Sequence, residues 1–413
     1  MRSFATRLVR ILGPDPGAVA QSSAALLISI IVTLVAGLTL ASSEERLAEL
    51  PGLLLLVPAA IGQRGNVFGA LGSRLGTAIH TGEFSVTRRV DTVFGQNVLA
   101  SLVLSVVAAT WLALVAWVLA QVIGIDDSIG LFDFVTISVV GGVGASVIVL
   151  GLTVALAAGS TRFGWDLDNV IAPLVTGTGD LVTLPALLGA SLLVHRAGES
   201  SVSPSTIVGI AMLVLAAAAL FVGLRRSLPL LRQIAIESLP VLGLASVISL
   251  VAGSVVEGQL AAFLDQPALL VLVPSYFGMA GALGGILSSR LGSKVHLGLI
   301  QSRIVPQREA LLDIRSVAVL SPVIFLLVGA AAHFGSVAVG AASPGLGSMV
   351  AVAVLAGFGA TFVVLGVAYY GTLAAVRVGL DPDTATIPLT NSVLDLVGAF
   401  TLVGAIILLG VGT

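Results

Sequence analysis

The sequence predicts an all-α polytopic membrane protein of about 11 spans, built as two parallel five-helix repeats joined by an extra transmembrane helix. Three observations predict it. First, 57% of the 413 residues are hydrophobic, only 10% are charged and the mean hydropathy is +1.12; a soluble globule normally carries about 25% charged residues. Second, the apolar runs are roughly 20 residues long, the length a helix needs to cross the hydrocarbon layer, and strand-like alternation is absent. Third, "PAAIGQRGNVFGALGSRLGTAIHTG" at 58–82 returns 216 residues later as "PSYFGMAGALGGILSSRLGSKVHLG". Pro58, Gly62, Gly65, Gly69, Arg74, Gly76, His80 and Gly82 recur as Pro274, Gly278, Gly281, Gly285, Arg290, Gly292, His296 and Gly298.

The elements follow in order. Helices are expected at about 20–41, 51–80, 94–123, 132–158, 170–195, 204–224, 236–256, 267–296, 310–334, 346–376 and 384–411. The first apolar run is too long for a signal-peptide core and reads as a retained span. Before it, "MRSFATRLVRILG" is either a segment along the membrane surface, with Arg2, Arg7 and Arg10 among headgroups, or a plain basic flank. With the N-terminus cytoplasmic, the inner joints hold Arg88, Arg89, Arg162, Arg225, Arg226, Arg232, Lys294, Arg303, Arg308 and Arg377. The outer joints hold only Arg46 and Arg196, and this asymmetry fixes the orientation, with the C-terminus outside. Helices one to five match helices seven to eleven: "LVAG" at 34–37 recurs at 250–253, and the fifth helix recurs with a shift of 215. Helix six adds one crossing and returns the second repeat to the orientation of the first, which implies a pseudo-two-fold axis along the membrane normal. The division is then residues 1–200, 201–233 and 234–413: first repeat, linking helix with its cytoplasmic joint, and second repeat. Such a chain is plausible as a monomer that imitates a dimer.

Polar residues inside these helices mark the candidate site. The fifth helix, "DLDNVIAPLVTGTGDLVTLPALLGA", and its counterpart, "DPDTATIPLTNSVLDLVGAFTLVGA", place Asp180 and Asp395 twelve residues beyond Asp168 and Asp383. At 1.5 Å per residue that is about 18 Å inward, near the midplane. A charge there costs roughly 2.5–3.5 kcal/mol and usually marks an ion pathway; the alternative is a protonated aspartate joining helices by a hydrogen bond. Pro173, Thr176 and Asp180 match Pro388, Asn391 and Asp395 on one helical face. On the second helix Asn66, Ser73, Thr77 and His80 form a stripe that recurs as Ala282, Ser289, Ser293 and His296. The glycine stripe reads as packing, Arg74 and Arg290 as headgroup anchors. Arg64, whose counterpart is Ala280, is mid-helix and is either half of an ion pair or a regulator of the pathway's electrostatics.

The donor set bounds the ligand. Two carboxylates with amide and hydroxyl oxygens and no cysteine favour a hard cation, and magnesium accepts one or two carboxylates while keeping several waters. Calcium normally wants more protein oxygens, and sodium or a proton stays open. Histidines 80, 195, 296 and 333 lack zinc-site spacing. The single lysine, Lys294, lies in no glycine-rich loop, so a P-loop is excluded, and "GGVGAS" at 141–146 reads as a packing face. The expected protein is not an enzyme. The net charge of −2 identifies no partner; those expected are divalent cations and the bilayer, with no nucleic acid.

The second-helix stretch with its "GN" and "SRLGT", and "D.DN...P......D" in the fifth helix, resemble the membrane domain of MgtE-type magnesium transporters. The tandem arrangement is similar to that of their solute-carrier relatives in animals. The resemblance implies magnesium or other divalent-cation transport, with the family's membrane aspartate at Asp180 and Asp395 and its glycine–asparagine pair at Gly65 and Asn66. In the second repeat Ala282 replaces the asparagine and Thr384 replaces Asn169, so the halves are not equivalent; Asn391 supplies an amide from the other helix. The expected metal set is Asp180, Asp395, Thr176, Asn391 and Asn66, holding a largely hydrated Mg2+ as cargo, with sodium as the second candidate ion. Two other functions fit: a sodium- or proton-coupled transporter that uses Arg64 for an anion, and a non-transporting membrane scaffold.

Overall fold

A computed structural model describes residues 16–87, 89–164, 167–194, 203–301, 303–378 and 382–411. Side chains 16–20, 168, 169, 296 and 382–386 are outside that description, so the expectations for Arg2, Arg7, Arg10, Arg88, Asp168, Asn169, His195, Arg196, His296, Asp383 and Thr384 fall outside it too. The described helices are α1 (Pro16–Ala41), α2 (Glu44–Glu49), α3 (Leu53–His80), α4 (Val93–Ile123), α5 (Leu131–Phe163), α6 (Leu167–Ser191) and α7 (Pro204–Gly223). They continue as α8 (Pro229–Glu257), α9 (Leu260–Asp265), α10 (Pro267–His296), α11 (Arg308–Ala338), α12 (Leu346–Arg377) and α13 (Pro382–Leu408). Among the described residues, eleven helices are long and apolar enough to cross a membrane and there is no strand, as the sequence predicts for an integral membrane protein. The short α2 and α9, in the joints after the first and seventh spans, and a π-helical turn at Ile137–Gly141 within α5, were not foreseen.

Local chemistry sets the boundaries. The Thr92 hydroxyl accepts the Gly95 N–H at 3.1 Å and starts α4, and Gly124 ends it in the left-handed conformation at φ 75°. Pro204, Pro229 and Pro267 stand in first turns, where no N–H is needed. Four of the internal prolines form matched pairs, Pro58 with Pro274 and Pro173 with Pro388, while Pro185, Pro240 and Pro322 have no proline counterpart. Ser29 on α1 donates to the Pro173 carbonyl at 2.8 Å, so a neighbouring helix supplies a partner to the backbone there.

The centre belongs to α3 and α10. Each has 94% of its apolar window buried, against 17% for α7, so the motif-bearing helices are interior and the linking helix is peripheral. Contacts around them are matched. Helix α1 packs on α6 and α10, and its counterpart α8 packs on α13 and α3. Helix α6 touches both α3 and α10, and so does α13. The repeated "LVAG" explains the crossing: a Cβ on Gly37 of α1 would collide with the Val271 carbonyl on α10, and one on Gly253 of α8 with the Leu55 carbonyl on α3. Glycine is what lets these backbones touch. Helix α7 rests on α4 and α5, where Thr136 donates to the Ser205 carbonyl at 2.9 Å.

Candidate functional site

Asp180 and Asp395 stand near the middle of α6 and α13 and are buried, 0% and 6% exposed. Each reaches across to the central helix of the opposite half. A Cβ on Gly278 of α10 would lie 2.5 Å from Asp180 Oδ2, and one on Gly62 of α3 would lie 2.7 Å from Asp395 Oδ2. These two glycines therefore make room for carboxylates. The rest of the stripe packs helices together, against side chains and not against a backbone as expected: Gly65 faces Thr176 and Asn391, Gly69 faces Ile387, and Gly285 faces Ala172.

The aspartates differ in their partners. Ser249 on α8 donates to Asp395 Oδ2 at 2.6 Å. Its counterpart on α1 is Thr33, whose hydroxyl donates instead to the Ile30 carbonyl at 3.2 Å while its methyl lies over Gly278. Neither oxygen of Asp180 has a hydrogen-bond partner among the described residues. Buried carboxylate oxygens without donors are costly, so the site calls for a cation or water there.

One turn along the same helices lie the neutral oxygens. Thr176 and Asn391, with Gly65, Gly69, Gly281 and Gly285, line a cavity of about 10 Å³ between α3, α6, α10 and α13. That is room for about one water and too little for a hydrated ion. Asn391 Nδ2 donates to Asn66 Oδ1 at 2.9 Å, joining α13 of one half to α3 of the other. Asn391 Oδ1 is left without a partner close to Gly281. Thr176, Asn391 and Asn66 thus come together as a set, with the aspartates one turn away on α6 and α13; the partner of Asn66 is Asn391. Ala282 occupies the position matching Asn66 and is fully buried. Among the described residues no group of three or more His, Cys, Asp or Glu side chains is close enough to hold a metal.

Three arginines were to be placed. Arg74 Nε donates to Asn97 Oδ1 at 2.9 Å, and Arg290 Nη2 donates to Ser22 Oγ at 2.8 Å with Asp313 3.9 Å from Nη1. Both are tied into the protein, which corrects their reading as headgroup anchors; long side chains beside polar helix neighbours bind those first. Arg64 is fully buried, and no carboxylate among the described residues lies within ion-pair distance of it. Its Nη1 donates to Gln63 Oε1 at 2.9 Å, and its guanidinium packs against Gly142 where a Cβ would collide with Nη2. "GGVGAS" is a packing face as expected, with Gly141 against the Ala186 carbonyl. Sequence reasoning missed Ser249, although its place in the repeated first helix, opposite Thr33, carried the signal.

A bundle of eleven apolar helices around two buried, cross-reaching carboxylates defines a polytopic membrane protein with a candidate cation site between its halves. Comparison with known proteins places that class. The family model "MgtE: Divalent cation transporter" matches residues 57–190 and 273–405, two stretches that together make up more than half of the chain. The chain belongs to the MgtE family of divalent cation transporters. It is similar to "Solute carrier family 41 member 3" of Rattus norvegicus, 26% identical over 312 residues, covering 72% of this chain and 65% of that protein. It is also similar to the member 3 protein of Mus musculus, 27% identical over 60% of this chain and 50% of the relative. Against "Solute carrier family 41 member 2" of Homo sapiens the figures are 27%, 61% and 44%. The chain spans between 44% and 65% of the length of these relatives. No solved structure matches it.

Proposed function

We propose that this chain transports a divalent cation across the membrane, magnesium first, with Asp180 and Asp395 attracting a largely hydrated ion near the midplane. The observation that carries the reading is the pair of buried carboxylates, each seated against a glycine of the opposite half. Thr176, Asn391 and Asn66 assist through neutral oxygens, in keeping with an ion that retains most of its water. Because the cavity holds about one water, a hydrated ion enters only after α3, α6, α10 and α13 part, so transport alternates between closed and open arrangements.

The same reading has two parallel repeats about an axis normal to the membrane, at 1–200 and 234–413, with residues 201–233 as linker. The twofold family match and the paired crossings at Gly37 and Gly253 support it. The basic joints support a cytoplasmic N-terminus and an outside C-terminus, and the fused halves support action as a monomer. Replacing Asp180 and Asp395 by asparagine, singly and together, tests the site in proteoliposomes loaded with a magnesium indicator. Flux should fall in each single variant and vanish in the double; unchanged flux in all three overturns the reading. Running the assay with and without a sodium gradient decides whether sodium is the coupling ion.

A further inference from the structure

Buried polar atoms without partners concentrate on one side of the molecule. Gln63 Nε2, Arg64 Nε and Nη2, Ser146 Oγ, both Asp180 oxygens and Thr183 Oγ1 have no hydrogen-bond partner among the described residues. They lie on touching faces. The Arg64 Cβ abuts Gly179, the residue before Asp180, and Gly141 packs on Ala186 and Leu187 further along α6. Gly179, Thr183 and Leu187 share one helical face, so Thr183 lies on the side of α6 that meets Arg64 and Gly141. Ser146 is one turn beyond Gly142 on α5.

The second half lacks this cluster. Met279, Ala280 and Gly398 stand where the first has Gln63, Arg64 and Thr183. Gly357, matching Gly142, is covered by the Phe325 ring, and Phe325 matches Ala109. An aromatic side chain thus fills the space that the guanidinium takes in the first half. Asp395 keeps a resident partner, Ser249, whereas Asp180 has none.

The Arg64 backbone thus stands next to Asp180 across the Gly179 contact, while its guanidinium points to Gly142 with Nε and Nη2 unpartnered and the Asp180 carboxylate points to Gly278 with both oxygens unpartnered. A swing of the arginine side chain would let each complete the other's deficit. We propose that Arg64 is a tethered cation that pairs with Asp180 when the transported ion is absent, so that an arriving ion must displace it. In the structure the guanidinium is drawn back to Gly142 and held by Gln63, so pairing with Asp180 requires the side chain to swing past Gly179. Arg64 is a positioning residue: it sets the affinity and the order of events at Asp180 without ligating the ion. It deepens the cation-transport reading and rests on it. In the ion-free protein a paired state populated about nine parts in ten lowers the apparent affinity for the ion about tenfold.

The test uses the full chain in detergent, with thermal unfolding midpoints followed as Mg2+ is titrated at constant ionic strength. Arg64→Ala copies the residue of the second half, and Arg64→Gln is the backup should the alanine variant not fold. Either should respond at about tenfold lower Mg2+ than wild type, and Arg64→Lys should stay near wild type. The gain should persist in an Asp395→Asn background and disappear in an Asp180→Asn background, a pattern that a merely structural role does not produce. Unchanged or weaker Mg2+ response in both neutral variants overturns the inference. So does a chloride-specific stabilisation of wild type that Arg64→Ala abolishes, because the counter-charge then comes from solution. A wild-type protein indifferent to Mg2+ overturns the transport reading instead.

Discussion

Alanine at Gly62 and at Gly278 tests the site by displacing its carboxylates without touching their charge. The added Cβ would stand 2.7 Å from Asp395 Oδ2 in one case and 2.5 Å from Asp180 Oδ2 in the other, whereas ordinary contacts begin at 3.4 Å. The oxygens must retreat by roughly 0.7 and 0.9 Å, several times the ~0.2 Å tolerance of a metal–oxygen distance. The retreat is harder at Asp395, which Ser249 holds at 2.6 Å. Overpacking of a closed interior costs about 1–3 kcal/mol, and misplacing one ligand should weaken Mg2+ at least about tenfold, or 1.4 kcal/mol. Mg2+-dependent thermal stabilisation in detergent and Mg2+ flux in proteoliposomes both read this. The controls are Gly144→Ala and Gly151→Ala on α5, where an added Cβ meets nothing within 4 Å; there alanine should stabilise the helix by about 0.5–1 kcal/mol. Folded Gly62→Ala and Gly278→Ala proteins with wild-type Mg2+ dependence would refute the reasoning.

Two more outcomes follow from the halves being stitched through their interior. Asn391→Ala removes the buried bond to Asn66, leaves that amide unpaired and should cost about 1–3 kcal/mol in denaturant unfolding; a double-mutant cycle with Asn66→Ala should show coupling above about 0.5 kcal/mol. Gly37→Ala and Gly253→Ala each force apart a backbone crossing between an outer and a central helix, so both should lower the unfolding midpoint, by similar amounts, while substitution at Gly151 does not.

Much of this was legible because duplication lets a sequence be read against itself. Composition and run length gave the eleven spans, and the recurrence of Asp180 as Asp395 singled out the two carboxylates without any knowledge of what they touch. What could not be read was the pairing across halves. A stripe of glycines has the same spacing whether it admits a backbone or a side chain; Gly37 turned out to face a carbonyl and Gly62 a carboxylate. Arg74 and Arg290 were misread for a related reason. Position near a helix end suggests snorkelling, but Asn97 on the next helix and Ser22, 268 residues from Arg290, sit within reach, and three-dimensional proximity decides the outcome.

The swapped seating of the aspartates also explains how the halves can diverge without losing the site. Each carboxylate is positioned by its own fifth helix but enclosed by the other half's glycine, so neither half can build a site alone, and Gly62 and Gly278 are needed by sequences other than their own repeat. The surroundings of each carboxylate are less constrained. Ser249 holds Asp395 with a neutral hydroxyl, Asp180 has no resident hydrogen-bond partner among the described residues, and the Phe325 ring takes up in the second half the volume that the Arg64 guanidinium takes in the first. On the proposed reading, two carboxylates in one site with different resident partners would release the ion with different ease. A duplicated chain can therefore assign one half to attract the cation and the other to hold it, a division unavailable to a dimer of identical subunits, in which any change in one carboxylate's surroundings appears in both.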